Sequence, residues 1–253
     1  MLRYAFICFM VGLAGFVDSI GGGGGLIALP AYIMGGIPVH QALATNKMSS
    51  SLGTSVAAFH YLKSGYMKWQ FCIPAVIFAI LGAFLGSNMS LRTDEKILSM
   101  LLLVILPLVA LYVIFGKPLE ESTERKYSLA VTVAICAISA FVIGFYDGLY
   151  GPGTGTFLMI IFSGLCNLTL KEAAGTTKAV NLTSNYISLA VFISSGQVIY
   201  LLGLCAGLCS MAGSYIGSHC FSKKGSKITR PIILCVLAIF LAKIIYENLM
   251  KIK

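Results

Sequence analysis

The sequence predicts an all-α polytopic membrane protein, built from two repeats of about five helical segments that we expect to be inverted relative to each other. Three observations support this fold class: the apolar composition, the long apolar runs and an internal duplication. Of the 253 residues, 58% are hydrophobic and 11% are charged, whereas a soluble domain carries about 25% charged residues. This composition excludes an ordinary soluble domain.

The apolar residues form long runs, and a membrane-spanning helix needs roughly 20 mostly apolar residues. These runs lie at 4–17, 71–85, 97–115, 127–146, 156–170, 186–205 and 231–246. They lack the polar–apolar alternation of a transmembrane β-barrel strand. The first run leads into further apolar segments and not into a soluble domain, so we expect it to remain as a helix and not to be a cleaved signal peptide.

The formal net charge is +9, and the basic residues lie mainly in short loops. This placement is typical of a protein in a lipid bilayer, so we expect no nucleic-acid partner. The eight cysteines fall mostly in apolar runs, and no cluster of cysteine and histidine has the spacing of metal ligands. We therefore interpret the cysteines as packing residues, and we expect no metal and no cofactor.

The chain contains an internal duplication. GFVDSIGGGGGLIAL at 15–29 matches GFYDGLYGPGTGTFL at 144–158 with an offset of 129 residues, and ALATNK at 42–47 matches AAGTTK at 173–178 with an offset of 131. Fixed-period similarity of this kind indicates a repeat architecture. We assign 1–116 to the first transmembrane repeat, 117–126 to a charged linker loop and 127–253 to the second repeat.

Each repeat divides into five predicted segments. Those of the first repeat are 3–20, 25–38, 40–62, 69–91 and 96–115, and those of the second are 127–149, 154–169, 171–195, 198–221 and 228–249. The second segment of each repeat is short and follows a glycine-rich motif. The first and second segments together therefore resemble a helix that is broken at the glycines.

Loop charge indicates how the segments cross. If all five cross, ten basic loop residues lie on one side: Lys63, Lys68, Lys117, Arg125, Lys126, Lys171, Lys223, Lys224, Lys227 and Arg230. The other side then holds five: Arg3, Arg92, Lys96, Lys251 and Lys253. If the short segments are re-entrant, the count is eight against seven. The positive-inside rule favours the inverted arrangement, with both termini outside.

Inverted repeats with interrupted helices are typical of secondary transporters, whose sites lie near the bilayer midplane at the repeat interface. Non-helical backbone is tolerated at that depth only where protein or a water-filled cavity surrounds it. The start of a helix after such a break presents backbone N–H groups and a positive dipole end, which attract anions. The sequence therefore predicts an anion site between the two glycine breaks.

GFVDSIGGGGGLIALP, HQALATNK and GFYDGLYGPGTG resemble motifs of the sulfite exporter TauE/SafE family of membrane permeases. The resemblance covers nearly the whole chain, which looks close to the YfcA-type bacterial inner-membrane members. It implies a permease for small anions, mainly sulfur-containing or organic ones such as sulfite or sulfoacetate.

Lys47 and Lys178 are repeat mates inside apolar segments. A charge at the bilayer centre costs roughly 2.5–3.5 kcal/mol on insertion scales, so each lysine needs a partner or a function. One interpretation is direct attraction of the anion. The alternatives are a structural ion pair, or a side chain that extends to the membrane interface.

Asp18 and Asp147 are the matching pair of carboxylates. Each could pair with the lysine of its own half or cap the helix that follows the glycines. Each could also carry a coupling proton if burial stabilises its protonated form. Their predicted role is therefore coupling or structural.

The third segment of each repeat carries small polar residues at helical spacing, and either a cavity wall or close helix packing explains them. Asn46, Thr177 and Asn181 neighbour the lysines, so we select them as substrate-binding candidates. The glycine breaks supply backbone N–H candidates, although the turns themselves also require glycine. These candidates are Gly22, Gly23, Gly24, Gly25, Gly151 and Gly153.

Two other functions are compatible with parts of the pattern. A passive anion channel shares the whole argument. An intramembrane aspartyl protease would use two carboxylates that share a proton, but Asp18 is followed by Ser-Ile-Gly and each aspartate has a lysine mate nearby. We therefore expect a transporter of a small anion and not an enzyme.

Overall fold

The computed structural model describes residues 2–98, 100 and 127–224, and these ranges contain helices and no β-strand. In chain order the helices are α1 (Leu2–Gly21), α2 (Gly25–Met34), α3 (Val39–Lys63), α4 (Trp69–Arg92), α5 (Leu129–Leu149), α6 (Thr154–Ile160), α7 (Leu170–Ser194) and α8 (Tyr200–Lys224). A π-helical turn, Ile161–Leu165, continues α6. The linker at 117–126 and most of the predicted segments 96–115 and 228–249 lie outside the described residues.

The helix ends follow the turn residues of the sequence. Helix α2 ends at Met34, four residues before the predicted end, because Gly35 and Gly36 follow and Gly36 has a φ of 82°. Pro38 then precedes α3. In the second half, a capping box between Thr169 and Glu172 begins α7.

Four helices in the described part of the chain, α1, α4, α5 and α8, are long and apolar enough to cross a membrane. Helices α3 and α7 have 25 residues each, which corresponds to about 37 Å. Both carry polar side chains that are buried inside the protein. The prediction of an all-α membrane protein is confirmed.

The two halves interlock through their fourth helices. Helix α4 packs against α5 and α7, and α8 packs against α1 and α3. Glycines allow the close approach: Gly144 of α5 lies against Ala79 of α4, and Gly12 of α1 lies against Cys209 of α8. Small residues at helix crossings are the usual basis of packing in membranes, where apolar side chains gain little by leaving lipid.

Helices α3 and α7, which are repeat mates, run antiparallel. Gly175 near the start of α7 packs against the backbone of Tyr66, just past the end of α3. At the other end, the Ile199 amide just past α7 donates to Thr45 Oγ1 near the start of α3 (3.1 Å). This is the relation that an inverted repeat requires.

Helices α1 and α2 form a hairpin with the glycine break at its tip. Gly24 lies beside Asp18 and Ala14 of α1, and Gly35 at the end of α2 lies beside Ile7. The chain therefore returns along α1 toward the end at which α1 began. This direction of travel is the one assumed in the ten-to-five count of basic residues.

Two apolar clusters flank the hairpin tips. One is built around α2 and includes Leu26, Leu29 and Tyr32. The other includes Phe71 of α4 and Phe162 of the π-helical turn. Because both clusters are packed around the breaks, the polar segments between them are held inside protein and away from lipid.

Candidate functional site

The two glycine breaks meet at the interface between the halves. A Cβ on Gly155 would lie 2.5 Å from the Gly22 Cα, and a Cβ on Gly25 would lie 3.1 Å from the Pro152 Cα. No side chain can be added at Gly155 without moving the opposing backbone. The sequence-predicted juxtaposition of the two motifs is thus a direct backbone contact.

Lys47 of α3 forms a buried ion pair with Asp147 of α5. The distance from Nζ to Oδ2 is 2.8 Å, and the side chains are 4% and 7% exposed. Lys47 also donates to Asn185 Oδ1 (3.2 Å). The carboxylate of Asp147 accepts two further hydrogen bonds, from Ser184 Oγ (2.5 Å) and Thr154 Oγ1 (2.9 Å).

Lys178 of α7 forms the matching ion pair with Asp18 of α1. Its Nζ lies 2.7 Å from Asp18 Oδ2 and also donates to the Asp18 main-chain carbonyl. The Lys178 side chain is 3% exposed and so at least as buried as that of Lys47, whereas the Asp18 side chain is 20% exposed. Both lysines are therefore neutralised within the protein and neither extends to the membrane interface.

These pairs correct one expectation. Each aspartate pairs with the lysine of the other half and not with the lysine of its own half. Neither aspartate caps the helix after the glycines, since the N-cap residues of α2 and α6 are Gly24 and Gly153 and no side chain caps either helix. The physical reason is that α3 packs against α7 and the two breaks touch, so that each lysine reaches the aspartate of the other half.

A cavity of about 40 Å³ lies between the breaks, and one buried water needs about 10–15 Å³. The space therefore suits a few water molecules or a small ion. Three charged residues line it, namely Asp18, Lys47 and Asp147. Two positive and two negative side chains meet here when Lys178 behind Asp18 is included, so their formal charges sum to zero.

The cavity wall includes most of the residues selected from the sequence. Those that line it are Asp18, Gly22, Gly24, Gly25, Asn46, Lys47, Asp147, Gly151 and Asn181. Four candidates do not line it, namely Gly23, Gly153, Thr177 and Lys178. Lys178 instead forms its ion pair with Asp18 on the side away from the cavity.

Several lining residues were not selected from the sequence. Ser50, Thr54 and Asn185 belong to the polar faces of α3 and α7. Ser210 and Ser214 of α8 were missed entirely. Their spacing of one helical turn in an apolar helix is the signal that could have found them.

Two buried polar atoms of the candidate residues have no hydrogen-bond partner among the described residues: Thr177 Oγ1 and Asn181 Oδ1. Thr177 is 1% exposed and Asn181 is 5% exposed. An unsatisfied buried polar group costs about 1–3 kcal/mol, so such atoms commonly face an ion or water. Asn181 lines the cavity and is placed to contact whatever enters it.

The chain is similar to several proteins that are described as probable membrane transporters. The chain is 34% identical over 232 residues to probable membrane transporter protein ORF9 of a Sinorhizobium species, which covers 92% of this chain and 88% of that protein. It is 33% identical to a probable membrane transporter protein of Haemophilus influenzae, covering 96% and 94%. It is 31% identical to probable membrane transporter protein YfcA of Escherichia coli K12, covering 95% and 88%.

No solved structure matches the chain. A family model described as sulfite exporter TauE/SafE matches residues 7–244. Because this match spans nearly all of both halves and their glycine motifs, the chain belongs to the sulfite exporter TauE/SafE family of membrane transporters.

Proposed function

We propose that the protein is a multi-pass permease of the bacterial inner membrane that moves a small anion through the cavity between the glycine breaks. A sulfur-containing or organic anion, such as sulfite or sulfoacetate, fits the family. The observation that supports this proposal is a polar cavity, lined by Lys47 and by backbone of both breaks, within a bundle of apolar helices.

In this proposal Lys47 attracts the anion, and Asn46, Asn181 and the backbone of Gly22, Gly24, Gly25 and Gly151 orient it. Because the four charged side chains sum to zero, an anion is held by directed donors and not by a net positive field. Gly23, Gly153, Thr177 and Lys178 act from behind the wall by shaping the breaks and holding Asp18.

The membrane potential sets the direction of uncoupled movement. An inside-negative potential drives a monovalent anion outward by roughly 2.3 kcal/mol per 100 mV. Export then needs no coupling ion, whereas uptake needs one. A passive channel would use the same cavity. Its flux would rise linearly with anion concentration, whereas the flux through a permease saturates.

The ion pairs argue against the protease alternative. An aspartyl protease needs two carboxylates that share a proton. Here each carboxylate is 2.7 or 2.8 Å from a lysine Nζ. The family and the names of the relatives likewise indicate a transporter.

The test is thermal unfolding of the detergent-purified protein with sulfite, sulfate, thiosulfate, sulfoacetate, acetate or chloride. A ligand that binds only the folded state raises stability by about 2.7 kcal/mol at 100 times its Kd. We expect an upward shift in Tm for a subset of these anions, and loss of that shift in the double variant Lys47→Gln/Asp147→Asn, which removes the cation without leaving a lone charge.

The matched control is Lys63→Gln, at the exposed end of α3, which should keep the shift. Saturable uptake of the stabilising anion into proteoliposomes completes the test. A Tm that no anion moves, together with absent flux, contradicts the proposal. An unchanged shift in the double variant removes Lys47 from the site.

A further inference from the structure

The carboxylate oxygens of Asp147 both contact donor groups of the protein. Lys47 Nζ and Ser184 Oγ contact its Oδ2, and Thr154 Oγ1 donates to its Oδ1. Both oxygens of this carboxylate therefore have donors, and its side chain is 7% exposed.

The carboxylate of Asp18 is different. Lys178 Nζ contacts Oδ2, and no donor to Oδ1 is found in residues 2–98 and 127–224. The side chain is 20% exposed and lines the cavity. One oxygen of this carboxylate is therefore available to a group that enters the cavity.

The sequence explains why the mates differ. Thr154 and Ser184, which donate to Asp147, correspond in the first half to Gly25 and Gly53, by the offsets of 129 and 131 residues. Glycine has no hydroxyl group, so these two positions supply no equivalent donor to Asp18. A Cβ at Gly53 would instead overlap Ser210 of α8, which fills that space from another helix.

The charged and titratable groups around Asp18 come from three helices. Lys178 of α7 is its direct partner. Tyr61 of α3 donates to the neighbouring Ser19 carbonyl. Lys47 and Asp147 lie across the cavity as a closed pair. Helices α2 and α6 carry no charged residue, and α8 brings the hydroxyls of Ser210 and Ser214 to the cavity.

We propose that Asp18, and not its mate Asp147, takes up one proton when an anion binds, so that proton and anion occupy the cavity together. The inference rests on the proposed anion site. With Asp18 ionised, the four charged groups sum to zero and a monovalent anion makes the cavity negative. With Asp18 protonated at its free oxygen, the charge of Lys178 is uncompensated and balances the anion.

A consequence is that a monovalent anion moves without net charge. The proton is taken from the solution on the side where the anion binds, and it leaves with the anion on the other side. The membrane potential then does not drive the loaded protein, and the pH gradient does. Asp147 serves in this scheme as the fixed counter-ion of Lys47.

The test measures anion affinity between pH 6 and pH 8 by thermal shift and calorimetry, with sulfate, thiosulfate, sulfoacetate, acetate and chloride as probes. Sulfite is omitted because it takes up a proton itself near neutral pH. One proton taken up per anion makes the affinity rise about tenfold for each pH unit that the solution is acidified. We expect this slope in the unmodified protein.

Asp18→Asn carries no titratable carboxyl and should bind the anion with the acid-form affinity at every pH. Asp94→Asn is the control, because it removes an exposed carboxylate that does not line the cavity, and it should keep the slope. A slope that persists in Asp18→Asn overturns the proposal.

A second measurement needs no variant. The anion that stabilises the protein is added to unmodified protein in weak buffer, and the pH of the solution is followed. We expect uptake of about one proton per bound anion. Binding with no proton uptake, or binding that depends on Na⁺ and is flat with pH, overturns the proton role but leaves the anion site in place. Absence of any anion binding contradicts the proposed function itself.

Discussion

At the scale of single residues, the central feature is a lysine and an aspartate that neutralise each other in the interior. Counted over the whole residue, Lys47 is 3% exposed and Asp147 is 5% exposed. Neither charge is therefore hydrated by water outside the protein. Removing one partner of a buried pair leaves an uncompensated charge and costs about 3–5 kcal/mol, whereas a neutral, well-packed replacement of both is often tolerated. The pair is therefore a condition for a stable interface between the halves.

We expect Lys47→Gln and Asp147→Asn each to lower the free energy of unfolding by about 3 kcal/mol. The double variant should be less destabilised than the sum of the two, because glutamine and asparagine can hydrogen bond to each other. Unfolding in detergent micelles, analysed as a double-mutant cycle, measures the coupling. Additive effects would mean that the two side chains do not interact in the folded protein.

At the scale of elements, the hairpins α1–α2 and α5–α6 touch at their tips. Gly22 has a φ of 76°, and a Cβ there would overlap the backbone of Gly155. Two separate demands, a left-handed backbone and a close backbone contact, thus fall on one residue. Gly65 between α3 and α4 has a similar φ of 72° but has nothing within 4 Å of its Cβ position.

This contrast gives a matched pair of variants. Gly65→Ala should destabilise the protein by about 1–2 kcal/mol, the cost of a left-handed conformation for a residue with a Cβ. Gly22→Ala should lower the free energy of unfolding at least twice as much as Gly65→Ala, because the backbone of the opposing break must also move. Thermal unfolding of both variants compares them directly. Equal shifts in Tm would show that the tips are not in contact.

At the scale of the whole molecule, the fourth helix of the second half packs against the first half. Helix α8 covers α1 and α3 of the first half, and α4 covers α5 and α7 of the second. His60 near the end of α3 bonds to Ser222 near the end of α8 (2.9 Å), so Lys63 and Lys223 lie toward the same end of the bundle. The positive-inside rule predicts that this end faces the cytoplasm.

Cysteine labelling tests the orientation. In a variant whose eight native cysteines are replaced, Lys68→Cys should react with a membrane-impermeant thiol reagent only after cells are permeabilised. Lys96→Cys, also exposed, should react in intact cells. The two are matched because each replaces an exposed lysine in or next to a loop. Labelling of Lys68→Cys in intact cells, or of both positions alike, contradicts the predicted topology.

Much of the architecture could be read from the sequence. Apolar runs and turn residues predicted the helices closely, and α1, α3 and α4 begin and end within one residue of the predicted segments. The glycine breaks could be predicted because glycine and proline interrupt the apolar sequence. Lys47 and Asp147 could be predicted as site residues because a charged side chain in an apolar run is costly unless it has a partner or a function. The π-helical turn after α6 has no comparable signal, since apolar residues such as Ile161 and Phe162 occur in α-helices as well.

The sequence by itself determined the class of protein, the duplication, the positions of the breaks and the charged residues beside them, because these depend on local composition and on spacing along the chain. Only the tertiary structure decided which lysine meets which aspartate. Pairing within a half and pairing across halves are both compatible with the spacing. Helix packing across the halves, with α3 against α7 and the two breaks in contact, selects the second. The same packing brings Ser210 and Ser214 to the cavity and leaves Asp18 with a free oxygen, since contacts between distant segments depend on how helices pack.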